Sequence, residues 1–284
     1  MALRARTLLV LGSVLALALA ALALLPRRVG FIEGLDGDAR AGFNALRDTE
    51  REDLVSDALT RMVDPVPFAL LLALLLLYGV VCARGGRLLA FVTLVAGANL
   101  TTQLLKSPWG DLALSRAAGR SVELGSFPSG HATGAMSLAV GAVLLAPHGR
   151  RVATAAAGGF LAVLQAVGMM AQDWHLPSET VGGHLVVGAW TCLVLAGLIA
   201  ARRRAGREIR LDGSRTLGRA APALVTLGAL VLAAVVLAVG TEDVRAYMVD
   251  HTTAVAAGLA LAAGAVGLPL AAAAALPGPP PRVR

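Results

Sequence analysis

Residues 180–201 read TVGGHLVVGAWTCLVLAGLIAA, 22 in succession without an acidic residue, a lysine or an arginine. As an α-helix this run is ~33 Å long at ~1.5 Å per residue, enough to cross the ~30 Å hydrocarbon core of a bilayer. Outward from it the same texture recurs. Residues 7–25, 67–83, 88–105, 132–147, 152–171, 221–240 and 252–276 are further apolar runs, most of them near the ~20 residues that a membrane-spanning helix needs. The composition agrees, with 57% hydrophobic residues, 15% charged residues and a mean hydropathy of +0.73. A soluble domain carries ~25% charged residues and disperses its apolar ones by period, so a soluble domain, a disordered chain, collagen and a coiled coil are all excluded. The predicted fold class is all-α, a polytopic membrane helical bundle of eight spans.

A net charge of +7 and a pI near 10.8 suggest nucleic acid at first sight. The location of the charge argues otherwise, because most basic residues border apolar runs. With the amino terminus inside, Arg4, Arg6, Arg84, Arg87, Arg150, Arg151, seven arginines between 202 and 219, and Arg282 and Arg284 all fall on one side. These are 15 of the 25 Lys and Arg, and the positive-inside rule makes that side cytoplasmic, with both termini on it. The first run, 19 residues long, exceeds the ~7–15 of a signal-peptide core, which favours a retained anchor. Cys82 and Cys192 both lie in apolar runs, so neither a disulfide framework nor a cysteine zinc site is expected.

Residues 27–66 are acidic, with Phe43, Leu46, Leu54, Ala58 and Met62 near helical spacing. This pattern predicts one or two amphipathic helices over the outer face, read either as a connector resting on the bundle or as a lid. Residues 202–220 form a basic cytoplasmic linker, and 277–281 open a Pro-rich tail.

Polar residues at membrane depth are costly, and their positions guide a functional reading. Residues 125–134 read GSFPSGHATG at the start of a span. Ser129 and Gly130 place a hydroxyl and unobstructed backbone N–H groups at a helix N-terminus, which suits an anion, and His131 is on the first turn as a proton donor. Residues 172–179 read QDWHLPSE. With Pro177 as the first helical residue, Glu179 takes the third position, from which its carboxylate reaches back to grip His175 and leave the other ring nitrogen free to attack. Asn99, Gln103 and Lys106 share one helical face, and Lys106 supplies a cation at the rim.

In this order the residues resemble the type 2 phosphatidic acid phosphatase (PAP2) superfamily of integral membrane lipid phosphatases. Its second signature, Pro-Ser-Gly-His, is complete at Pro128, Ser129, Gly130 and His131. The third is matched by His175 and by the four-residue step to Glu179, where the family has Asp, and the first by Lys106. The resemblance covers residues 1–201, the six-span core, and leaves 221–284 as two additional spans and a tail. It implies His175 as the nucleophile, Glu179 as its orienting partner and His131 as the acid that protonates the leaving oxygen. Lys106, Ser129 and Gly130 hold the phosphate, and neither metal nor other cofactor is required. The implied substrate is a lipid phosphate, a polyprenyl diphosphate or a phosphatidic-acid-like monoester, with the site on the extracytoplasmic face.

The chain departs from the family at two cations. Ala113 and Leu114 stand where the first signature has Arg-Pro, and Arg116 or Arg120 is the substitute that could bind phosphate from a longer loop, Arg116 being the preferred one. Met169 stands where the third has its arginine, with Gln172 nearby as a neutral donor. These departures keep a non-catalytic lipid-phosphate binder or transporter as the rival reading, beside a phosphotransferase using the same residues. Elsewhere, His184 is expected to hydrogen-bond between helices, with a proton relay as the alternative, and Ala256, Ala260 and Gly264 form a small-residue seam that serves either packing on the chain's own bundle or dimerisation.

Overall fold

In the computed structural model the described residues are 5–24, 31–45, 61, 64–83, 85–106, 127–205 and 241–276, and all of their regular structure is helical. The helices are α1 (Ala5–Leu24), α2 (Phe31–Asn44), α3 (Pro65–Cys82), α4 (Gly85–Lys106), α5 (Gly130–Leu145), α6 (Arg151–Ala171), α7 (Pro177–Arg204), α8 (Thr241–Asp250) and α9 (Thr252–Ala275). A short 3₁₀ turn, His148–Arg150, leads into α6. Six helices are long and apolar enough to cross a membrane: α1, α3, α4, α6 with its 3₁₀ turn, α7 and α9. The chain is a multi-pass integral membrane protein. Of the eight expected spans, 221–240 lies outside the described residues, as do the linker from 206 to 220 and the tail from 277.

The expected fourth span is α5, and at 16 residues it is shorter than the others. Its ~24 Å falls below the bilayer core, but α5 is the axis of the bundle rather than a wall of it. It packs against α3, α4, α6, α7 and α9, and 12 of its residues are buried. The outer helices present apolar residues outward, as on α3 at Leu70, Leu74, Leu77 and Val81, where lipid is the solvent.

Close packing around α5 rests on small residues where helices cross. A Cβ on Gly141 would lie 2.6 Å from the Phe91 ring, and one on Gly158 would lie 2.9 Å from the Ala139 Cβ. The neighbouring Gly159 does the same for α9, with Val266 Cα at 2.9 Å. Polar pairs add register between α4 and α5. Asn99 Nδ2 donates to Ser137 Oγ at 3.1 Å, and the hydroxyls of Thr102 and Thr133 are 3.0 Å apart. Asn99 therefore joins helices, while its face-mates Gln103 and Lys106 reach the start of α5 at Gly130.

The carboxy-terminal helix α9 is part of this bundle, packed on α6, α5, α7 and α2. Its buried face is not the small-residue seam, so the reading of that seam as packing on the chain's own bundle is not met, and the dimerisation reading is not tested by it. Ala254, Leu261, Ala265 and Leu270 point inward, whereas Ala256, Ala260 and Gly264 are exposed among the described residues. A four-residue repeat of small side chains runs along several faces of an alanine-rich helix, so spacing alone does not select the one that packs. His184 differs from expectation as well. It lies on α7 toward Gly264, and no hydrogen bond to it occurs among the described residues.

Of the acidic segment 27–66, α2 is the amphipathic helix. Asp36, Ala39 and Phe43 recur on its buried side, with Ala39 and Phe43 packed on Ala166, Met170, Ala254 and Leu261. Tyr247 on α8 holds it by donating to the Gly42 carbonyl at 2.8 Å. Leu46, Leu54, Ala58 and Met62 lie outside the described residues.

Candidate active site

Two helix starts meet at one end of the bundle. Ser129, extended in backbone, caps α5 by accepting from Ala132 N at 3.2 Å, and its own N–H donates to the Glu179 carbonyl at 2.9 Å. What lets the backbones come so near is Gly182-Gly183. A Cβ on Gly183 would lie 2.9 Å from Ser129 O and 3.0 Å from Thr133 N, and one on Gly182 would meet the Phe127 ring at 2.7 Å. No other residue has so little bulk, and the pair brings segments 127–131 and 172–179 together.

The α7 start is built by its own sequence. Pro177 begins the helix after an extended Leu176. From the third position Glu179 reaches back, its Oε2 accepting from Leu176 N at 3.1 Å and standing 2.8 Å from His175 Nδ1. The two side chains are only 9% and 10% exposed, so the contact is dry and the ring is held in one orientation. With Nδ1 occupied, Nε2 is the free nitrogen of His175.

His131 faces this pair. Its ring centroid is 5.7 Å from that of His175 and 5.7 Å from that of Trp174, both tilted. Lys106, at the end of α4, completes the rim, and a Cβ on Gly130 would lie 3.8 Å from its Nζ and 3.9 Å from Gln103 Nε2. The ammonium thus stands beside the N-terminus of α5, where backbone N–H groups and the helix dipole already favour an anion. His131, His175, Glu179, Lys106, Ser129 and Gly130 form one cluster. Arg116 and Arg120 lie outside the described residues, together with Ala113 and Leu114.

Met169 is at the base of the cluster and fully buried. Its sulfur accepts from Gln165 Nε2 at 3.1 Å and lies 3.8 Å from Ser129 Oγ. The position is directed at the α5 start, and here it presents a neutral thioether.

Three acidic residues and one arginine join the site that local sequence does not point to. Asp64 Oδ1 is 3.2 Å from His131 Nε2. Asp36 on α2 accepts from Ser178 N at 3.1 Å and from Ser178 Oγ at 2.5 Å, and burial pushes its carboxyl above its ordinary value against those bonds, with the nearby Glu179 charge acting in the same direction. Arg40 on α2 pairs with Asp173 through two nitrogens. Asp173 is in the left-handed region at φ 63, which Asp tolerates better than most residues. Helix α2 is therefore tied to the His175 loop at both Ser178 and Asp173. For Asp36, Asp64 and Arg40 the sequence signal is the charge of residues 27–66, and for Asp173 its place two residues before His175; neither says what each side chain meets. Among the described residues no three His, Cys, Asp or Glu side chains gather as a metal site.

No family model, no curated protein and no solved structure matches the chain. The functional reading rests on the residues and their arrangement.

Proposed function

We propose that the protein is a PAP2-type membrane lipid phosphatase that cleaves a phosphate monoester or diphosphate from a lipid through a phosphohistidine. One observation carries the proposal: two imidazoles face each other 5.7 Å apart, one backed by a carboxylate on Nδ1, beside an ammonium and a helix N-terminus. Such a set supplies a nucleophile, an acid and an anion cradle. His175 Nε2 attacks phosphorus, and the bond to the lipid oxygen breaks. His131 gives its proton to that oxygen. Water then yields a proton to His131 as its oxygen attacks phosphorus and the P–N bond breaks, returning both rings to their starting state. Glu179 stabilises the charge on His175 during the covalent stage. Lys106 and the N–H groups of the α5 start hold the phosphate oxygens, with Ser129 beside them.

The direction of the site follows from charge. Arg87, Arg150, Arg151, Arg202, Arg203 and Arg204 all lie at the end of the bundle remote from His131 and His175. By the positive-inside rule this makes the remote end cytoplasmic and opens the site to the extracytoplasmic face.

The test is phosphate release by the purified full-length protein from polyprenyl diphosphates and diacylglycerol phosphates, with a chelator present. His175→Ala is expected to lower release by ~10³-fold or more, and Glu179→Gln by ~10²-fold. An active His175→Ala protein overturns the mechanism. Met169 favours a second reading, because a thioether beside Ser129 offers phosphate no charge. Lipid-phosphate binding by the folded wild type without any release would establish that reading, a non-catalytic binder or transporter, in place of the first.

A further inference from the structure

Asp64 immediately precedes Pro65 at the cap position of α3, where an Asp side chain ordinarily bonds the first turn. It makes no such bond. Its carboxylate turns to His131 across 67 residues of sequence, Oδ1 at 3.2 Å from Nε2, with the two side chains 31% and 28% exposed. The contact repeats, on the other histidine, what Glu179 does for His175. The nitrogens are opposite, however: Glu179 takes Nδ1 of His175, and Asp64 takes Nε2 of His131.

The surroundings of His131 give this contact a purpose. Partial burial acts most strongly against a positive charge on the ring, and His175 from the facing loop and Lys106 from α4 act in the same direction, so the ring's pKa lies below its ordinary value; the Trp174 ring on its other flank carries no charge. Among the described residues, Asp64 is the carboxylate in contact with His131 that favours the imidazolium. Glu179 lies behind His175 and is engaged with it.

We propose that Asp64 is the positioning residue of His131, holding the Nε2 proton so that Nδ1 presents the proton transferred to the leaving oxygen. The inference rests on the phosphatase reading for that oxygen, and it adds a second carboxylate–histidine pair to the first. In the step, Nδ1–H breaks as the oxygen–hydrogen bond of the lipid alcohol forms. The ring becomes neutral with its remaining proton on Nε2 against Asp64. The proton from the attacking water then restores Nδ1–H. Asp64 changes neither its protonation nor its covalent bonds.

The experiment follows the imidazole signals of the full-length, histidine-labelled protein in detergent by NMR, the His131 signal being the one that His131→Gln removes. In Asp64→Asn the titration midpoint of His131 should fall by about one pH unit or more, and Asp64→Glu should recover part of it. Phosphate release by Asp64→Asn should fall by ~10²-fold in kcat, with the alkaline limb of its pH profile moved to lower pH by the same interval. A merely structural role for Asp64 moves neither midpoint nor limb. An unchanged His131 midpoint in folded Asp64→Asn and Asp64→Glu proteins overturns the proposal. A lowered midpoint in a protein whose wild type releases no phosphate upholds the pairing and overturns the phosphatase reading, so the two failures are told apart.

Discussion

Both ends of the bundle face the same problem, the unpaired backbone groups of helix termini, and they meet it with different residues. At the histidine end the starts of α5 and α7 are closed by Ser129 Oγ and by the Glu179 carboxylate. At the remote end, arginines reach helix-terminal carbonyls. Arg87 donates to Ala146 O at 2.8 Å beyond α5, and the buried Arg151 donates to Leu276 O at 3.1 Å beyond α9. Each choice suits the helix dipole, which favours negative groups at N-termini and cations at C-termini. Arg87 and Arg151 thus serve the C-termini of α5 and α9 from the first turns of α4 and α6. At the histidine end, helix N-termini and Lys106 provide the positive potential, and the side chain beside Ser129 is the neutral Met169.

This contrast can be broken first at Gly183. Gly→Ala in a helix ordinarily gains ~1 kcal/mol of propensity. At Gly183 a Cβ would press on backbone atoms of the α5 start at 2.9–3.0 Å, and backbone cannot swing aside as a side-chain tip does. Gly183→Ala is therefore expected to destabilise the protein by ~1–3 kcal/mol and to lower phosphate release steeply by parting the two histidine segments. Thermal unfolding in detergent, read beside activity, checks both. A stabilised, active variant would show that the close crossing is not what assembles the site.

At the remote end, Arg151→Met should cost stability without touching chemistry. Leaving Leu276 O without this donor is expected to cost ~1–3 kcal/mol, seen as a lower unfolding temperature, with kcat per folded molecule unchanged. A large fall in kcat would mean that the two ends are coupled through α6.

The smallest effect is expected on the outer surface of the site. The Arg40–Asp173 pair is exposed, 51% and 30%, and such pairs contribute ~0–1 kcal/mol and weaken in salt. Arg40→Ala should shift the unfolding temperature slightly and faster turnover should not follow, since Asp36 still ties α2 to Ser178. Turnover rising several-fold in Arg40→Ala, or in wild type at high salt, would instead make α2 a lid that limits access.

The elements with local signals were legible. Apolar runs announced α1, α3, α4, α6, α7 and α9 to within a few residues, because a bilayer demands length and hydrophobicity from a continuous segment. The Glu179–His175 contact was legible too, since Pro177 sets the helix start and the third position follows from it. The shorter α5 was announced by its run, but its place at the axis was not, because an apolar sequence does not say whether lipid or protein surrounds it. The face of α9 that packs was likewise hidden, its alanines being alike on every side.

The sequence by itself determined the class of protein, a multi-pass helical membrane protein, the positions of most spans and the His175–Glu179 contact, all of which depend on composition and short spacings. Only the tertiary structure decided which of the acidic residues matter. Asp36 and Asp64 stand in a long charged segment and Asp173 in the turn before His175, and their partners, Ser178, His131 and Arg40, are 67 to 142 residues away. Contacts at that separation are set by where helices cross, and the crossing depends on volumes as small as the missing Cβ atoms of Gly182 and Gly183.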